Sequence, residues 1–296
     1  MTLRSILMGI AFALMWSSAF ATARIIVAAA PPLLSLSVRF ALSGLIAIAI
    51  ARALGQSWHL PGGWRGPQAR AVVVFGLCQN ALYLGLNFVA MQTIQASLAA
   101  IIASSMPLIV AGLGWAFLSQ RMSKLGLAGL IAGMVGVALI MGSRVQGGAD
   151  LMGVVLCLIG ATALAVATLA MRGASGSGNL LMIVGLQMLV GAVTLGIFSA
   201  LTEVPQVTWS RPFVLAFAYQ MFVPGLAATL LWFTLVSEIG AVRASTFHFL
   251  NPFFGVVIAA LLLGEKIGGW DAIGVAVAMA GILAVQLSRQ TPIARL

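Results

Sequence analysis

The stretch Ile94 to Ile140, IQASLAAIIASSMPLIVAGLGWAFLSQRMSKLGLAGLIAGMVGVALI, lies without a gap on Ile239 to Val285, IGAVRASTFHFLNPFFGVVIAALLLGEKIGGWDAIGVAVAMAGILAV, at an offset of 145 residues. Ala96 falls on Ala241, Ala99 on Ala244, Pro107 on Pro252, Leu118 on Leu263, Gly129 on Gly274, Met134 on Met279 and Gly136 on Gly281. Alanine and leucine matches come cheaply in an apolar chain. Prolines and glycines in register do not, because each answers a backbone requirement. Each copy holds an apolar run with a proline, a short polar loop and a glycine-rich apolar run, and so reads as two helices and their connection.

Runs of that length recur throughout. An apolar helix crosses the hydrocarbon layer in about 20 residues. Cutting at charges, prolines and glycine clusters leaves ten segments: Ser5 to Ala23, Leu33 to Ala51, Ala71 to Met91, Ser97 to Leu118, Leu125 to Gly142, Leu151 to Met171, Leu180 to Leu201, Phe213 to Val236, Ser245 to Leu263 and Trp270 to Leu287. The 296 residues are 62% hydrophobic and 7% charged, against about 25% charged in a soluble domain. The expected fold class is an all-α integral membrane protein with ten transmembrane helices. The run after Arg4 ends in Ala-Thr-Ala like a signal peptide, but the similar runs behind it make it a first span.

Five spans per half is an odd number. The second copy therefore enters the membrane from the opposite side, and residues 1–145 and 146–296 become inverted five-helix repeats, a geometry typical of secondary transporters. With the N-terminus inside, Arg4, Arg52, Arg65, Arg70, Arg121, Lys124, Arg172, Arg243, Arg289 and Arg295 lie on the cytoplasmic side, against Arg24, Arg144, Arg211 and Lys266 outside. This asymmetry obeys the positive-inside rule and predicts cytoplasmic termini. The net charge of +10 is thereby an orientation signal rather than a nucleic-acid patch, since the cations stand singly in short polar gaps. Cys78 and Cys157 sit in apolar runs without metal-ligand spacing, and no cofactor is expected. Gly126, Gly129, Gly133 and Gly136 permit close helix contact, within the chain or in a weak dimer.

Polar side chains in a span should face a cavity or another helix. Asn80, Tyr83 and Asn87 recur at helical spacing with Gln79 beside them, and Ser245, His248 and Asn251 do the same, with Gly255 extending the line. These are two candidate cavity walls, the plainer reading being hydrogen bonds between helices. Arg39 lies within the second span, with Ser35 and Ser43 a turn to either side. A charge at that depth costs at least about 2.5 kcal/mol. Asp150, Glu203, Glu238, Glu265 and Asp271 all fall at span ends, so Arg39 meets either a substrate carboxylate or backbone carbonyls. Trp16, Tyr83 and Trp232, deep in their spans, are the preferred ring members of a pocket. Pro107, Pro224 and Pro252 weaken bonds at the carbonyls of Ala103, Gln220 and His248, which become candidate ligands for an ammonium group. Pro107 and Pro252, as repeat mates, are candidate paired hinges for alternating access.

Leu250-Asn251-Pro252-Phe253-Phe254, running to Leu263-Gly264-Glu265-Lys266 and on to Gly274 and Gly281, resembles the signature of the EamA family of the drug/metabolite transporter superfamily. The first copy carries Gln120 where that pattern usually has Glu, and Trp16, Ser17 and Arg39 sit where the family tends to place such residues. The resemblance covers essentially the whole chain. It implies ten helices in a bacterial inner membrane and export of small metabolites, often amino acids; the chain looks most like YddG-type exporters of aromatic and other neutral amino acids. With no carboxylate inside a span, facilitated diffusion or exchange is expected, with His248-linked proton coupling as the minority reading. The alternative within transport is efflux of organic cations. From another class, an intramembrane hydrolase would need Ser104 or Ser105 to meet His248, and no GxSxG or HExxH motif supports it.

Overall fold

The computed structural model describes residues 2–57, 63, 66–117, 123–170, 179–240 and 244–290. Among them ten helices are long and apolar enough to cross a membrane: α1 (Leu3–Val27), α2 (Pro32–Ala53), α3 (Gln68–Ala90), α4 (Ala96–Phe117), α5 (Lys124–Gln146), α6 (Leu151–Thr168), α7 (Leu180–Thr202), α8 (Arg211–Val236), α9 (Thr246–Leu263) and α10 (Gly269–Ser288). Large apolar side chains such as Leu45, Ile131, Val193 and Leu261 are exposed on the helices, as a lipid-facing surface requires. Leu118, Gln120, Arg121, Met171, Arg172, the Gly173 to Gly178 tract, Ala241, Arg243, Arg65 and Arg295 lie outside the described residues. α1 runs a turn past its expected end at Ala23, because Arg24 reaches the carbonyls of Met91 and of Gln92 (3.0 Å) at the C-terminus of α3. A cation there answers the helix dipole.

The inverted repeat appears in how mates pack. α5 runs along α10, and α2 along α7. Along the first pair a methyl on Gly129 would stand 2.9 Å from the carbonyl of Gly281, and one on Gly281 would stand 2.6 Å from the carbonyl of Gly129. Gly136 and Gly274 face each other in the same way, at 2.7 and 2.8 Å. Exchanging the halves at the offset of 145 turns the pair Gly129–Gly281 into the pair Gly274–Gly136. The repeat glycines are thus the contact points of a pseudo-twofold seam, and they are spent on internal packing. Gly44 and Gly185 supply the matching approach between α2 and α7, at 3.0 and 2.9 Å.

Helix N-termini leave amides that need acceptors. Past the end of α7, Glu203 accepts from the amides of Leu33 and Leu34 at the start of α2, both at 2.9 Å. Past the end of α2, on the opposite face, Gln56 accepts from the amide of Met182 at the start of α7 at 3.0 Å. The two halves therefore use one device, charged on one face and neutral on the other. Glu265 does the same for α4, accepting from Ala96 (2.8 Å) and Ser97 (3.1 Å), and the Asp271–Arg144 pair (2.9 Å) ties α10 to α5 on that face.

Four of the described helices are interrupted. α4 breaks at Ser105 between Ala96–Ser104 and Met106–Phe117, two residues before Pro107. α9 opens with a tight turn, Ser245–Leu250, that relaxes to an α-helix at Asn251–Leu263 around Pro252. The mates Pro107 and Pro252 thus mark the same break in both halves. α3 and α8, also repeat mates, each contain a wide π-turn, Gly76–Leu84 and Met221–Ala227. Pro224 accounts for the second, since its missing amide removes one bond from the ladder.

Candidate functional site

Both π-turns border a small cavity. α1 contributes Trp16 and Phe20, α2 Arg39, α3 Tyr83, Asn87 and Phe88, and α8 Gln220 and Pro224. These residues lie in the halves of α1 and α3 near their C-termini, in the half of α2 near its N-terminus, and in α8 from its N-terminal half to its middle. The cavity therefore occupies the half of the membrane on the side of Glu203 and Glu265.

Arg39 is 6% exposed. One guanidinium nitrogen, Nη1, donates to the Gln220 side-chain oxygen, its carbon lies 4.7 Å from the Phe40 ring centre, and Nε has no partner. Gln220 is fully buried, and its amide nitrogen donates to the carbonyl of Ala19 (2.6 Å) and to Thr22 Oγ1 (3.1 Å). One amide side chain therefore locks α1, α2 and α8 together and orients the cation. Of the two expected acceptors for Arg39, a substrate carboxylate or backbone carbonyls, the second is not what Nη1 meets: a side-chain amide oxygen takes its place. Sequence reading misses Gln220 as a side chain and names only its carbonyl. The available signal is a polar residue four positions before Pro224 in an apolar span.

The expected stripe on α3 is split, because the wide turn changes the residues per turn between Asn80 and Asn87. Tyr83 and Asn87 border the cavity, whereas Asn80 turns to α7, donating to the carbonyl of Gln187 at 2.9 Å. Half-buried Gln79 also lies outside the lining. Asn87 donates back to the Tyr83 carbonyl at 2.7 Å and accepts from Cys157 at 3.3 Å, so its amide is occupied.

Trp232, His248 and Asn251 form a second group. Phe12 meets Trp232 at 4.8 Å between ring centres and His248 edge-on at 5.4 Å, with Trp232 and His248 5.2 Å apart. The amide nitrogen of Asn251 is 3.0 Å from His248 Nδ1, and Ser17 donates to the Asn251 carbonyl at 3.4 Å. Leu235, Ala244 and Phe247 pack around this cluster, and a methyl on Gly9 would lie 2.4 Å from the Phe247 ring. Trp16 joins the groups: it lines the cavity and stands 5.8 Å from Phe12. On the side away from Glu203, the rings thus continue from the cavity into this cluster. The His248 carbonyl is taken by the amide of Asn251. Ser104 and Ser105 donate to the carbonyls of Ala100 and Ile102, both at 2.6 Å, which leaves neither hydroxyl paired with His248.

Ten spans, mates packed on a pseudo-twofold seam, and a ring-lined cavity between the helices define a membrane transporter of the inverted-repeat type. The chain belongs to the EamA-like transporter family, whose sequence profile matches it twice, over residues 3–142 and 151–287. It is 27% identical over 256 residues to the uncharacterized transporter YvbV of Bacillus subtilis (strain 168), covering 86% of this chain and 82% of that protein. It is 25% identical over 283 residues to protein PecM of Dickeya dadantii (strain 3937), covering 92% and 88%. A crystal structure of a protein 21% identical superposes with a TM-score of 0.69 over 98% of this chain and 99% of that one, a likeness of fold.

Proposed function

We propose that the chain exports small metabolites, neutral amino acids with aromatic ones among them, across a bacterial inner membrane by alternating access, with both termini cytoplasmic. The observation that carries this reading is a cavity walled by Trp16, Phe20, Tyr83 and Phe88 with one guanidinium and no carboxylate among the described residues. Rings and aliphatic walls hold an apolar side chain, and few polar groups orient it. The cluster of Phe12, Trp232 and His248 supports the gating half of the proposal: it lies beside the cavity on the side away from Glu203, where it would act as a plug. Pro107 and Pro252 are the proposed hinges, because both sit where their helices change character. The excess of cations on the face where α1 begins supports the orientation.

Substrate gradients or exchange drive this transport rather than a membrane carboxylate, because all five acids lie at helix ends. For the same reason organic cations are poor substrates: nothing in the spans neutralises them. The test is counterflow in liposomes holding the purified chain, with labelled phenylalanine, tryptophan, leucine and a lipophilic cation. Counterflow of the amino acids that persists after the pH gradient is collapsed supports the proposal. Counterflow of the cation alone, or transport abolished without a pH gradient, refutes it.

A further inference from the structure

Arg39 is the only charged side chain among the described residues that border the cavity. Each of the five acids is engaged elsewhere: Glu203 with the amides of Leu33 and Leu34, Glu265 with Ala96 and Ser97, Asp150 with Thr93 and its own helix, Asp271 with Arg144, and Glu238 with Arg4. The buried guanidinium therefore carries an uncompensated charge in a low-dielectric setting, a state that a bound anion relieves. Its orientation is equally specific. With Nη1 held by Gln220, the edge bearing Nε, which has no partner, is the side-on fork whose two parallel N–H groups match a planar carboxylate.

The same walls offer an ammonium group no charged partner. The two amide side-chain oxygens among them are engaged, that of Asn87 by Cys157 and that of Gln220 by Arg39, which leaves ring faces as the main attraction for a cation. A zwitterion would satisfy Arg39 with one end and place its second charge among rings, beside a cation of the same sign. An apolar monoanion satisfies Arg39 and leaves nothing unpaired.

We infer that the cavity recognises a carboxylate on an apolar body, that the ammonium group is dispensable, and that apolar monocarboxylates are therefore among its ligands. This rests on the cavity being the substrate site. It extends the proposed range from amino acids to organic acids that lack an amine.

The experiment uses the full chain in nanodiscs and four probes of one shape: 3-phenylpropionate, L-phenylalanine, L-phenylalaninamide and phenethylamine. Binding is read from tryptophan fluorescence, since Trp16 borders the cavity, and from thermal stabilisation. The expected order is 3-phenylpropionate at least as tight as phenylalanine, with the amide and the amine weaker by at least about tenfold, the scale of a lost charge-assisted contact. Arg39→Lys keeps the charge and loses the fork, and is expected to weaken 3-phenylpropionate by about tenfold while leaving phenethylamine unchanged. Phenethylamine binding as tightly as the acid, or an acid that binds only when it carries the amine, overturns the inference, as does failure of every carboxylate to bind. Binding of 3-phenylpropionate without counterflow of any probe refutes the transport reading and leaves the anion site standing.

Discussion

The seam between α5 and α10 permits a prediction whose sign separates two kinds of glycine. A methyl at Gly281 would stand 2.3 Å from the amide nitrogen and 2.4 Å from the Cα of Gly133, and 2.6 Å from the carbonyl of Gly129. All three are backbone atoms, so no rotamer change relieves the contact; α10 must move off α5 by about 1 Å to restore ordinary spacing, at the expense of the close packing that holds helices together in lipid. Overpacking of this kind costs about 1–3 kcal/mol, less the roughly 1 kcal/mol that alanine gains over glycine inside a helix. Gly142, near the end of the same α5, has nothing within 4 Å of the place a methyl would take, so Gly142→Ala carries only the gain. Reversible unfolding in mixed micelles, followed by far-ultraviolet circular dichroism, should place Gly281→Ala below the parent and Gly142→Ala at or above it. Gly136→Ala should resemble Gly281→Ala, and the double variant should cost less than the sum, because one displacement accommodates both methyls. A Gly281→Ala protein as stable as Gly142→Ala would refute the seam.

Glu203→Ala strands the amides of Leu33 and Leu34 and should cost about 1–2 kcal/mol in the same assay, with Glu203→Gln intermediate; equal stability of all three would show that the cap contributes nothing. In a background with Cys78 and Cys157 replaced by alanine, Ser17→Cys should be nearly inert to a membrane-impermeant maleimide, since Ser17 is 1% exposed. Adding Trp232→Ala to that protein should speed labelling from the side of the plug, and an unchanged rate would remove the plug as a barrier. The Thr93 hydroxyl first, then the amides of Gly153 and Met152, hold the Asp150 carboxyl below its ordinary 3.8. A depressed value means that its contribution is complete above pH 3.8 and fades as pH falls through the lowered value. Thr93→Val should raise the titration point of Asp150, measured by carboxyl NMR of selectively labelled protein, and an unmoved titration would contradict the assignment.

The repeat is legible in the sequence because its markers are backbone demands. Gly129, Gly136, Gly274 and Gly281 sit where two helices touch main chain to main chain, and Pro107 and Pro252 where a helix breaks; neither requirement tolerates drift in residue type. Arg39, Trp16, Tyr83 and Asn87 stand out as polar or aromatic residues within apolar runs, and the cavity gathers all four. How separate helices bring their faces together is not legible in this way. Grouping Asn80 with Tyr83 and Asn87 assumes 3.6 residues per turn, and the π-turn in α3, which no proline announces, sends Asn80 to α7 instead. Trp232, His248 and Asn251 are likewise unusual span residues by sequence. Their assembly against Phe12 depends on the register of α1 against α8 and α9, which no single helix encodes.

The caps at the ends of α2 and α7 show why equal halves need not be equivalent. Inversion places the same backbone problem on both faces: an N-terminus beside the end of its repeat mate. Glu203 answers it with a carboxylate and Gln56 with an amide. Charge-assisted bonds are roughly twice as strong as neutral ones. Four of the five acids, Asp150, Glu203, Glu265 and Asp271, lie on the Glu203 face, and each accepts hydrogen bonds from helix-terminal amides. A pseudo-symmetric scaffold thus has one face fastened by carboxylates. Because α2, which carries Arg39, starts at that face, the fastening also fixes the register of the cavity's one described cation, and the geometry that recognises a ligand depends on a cap about two helical turns away.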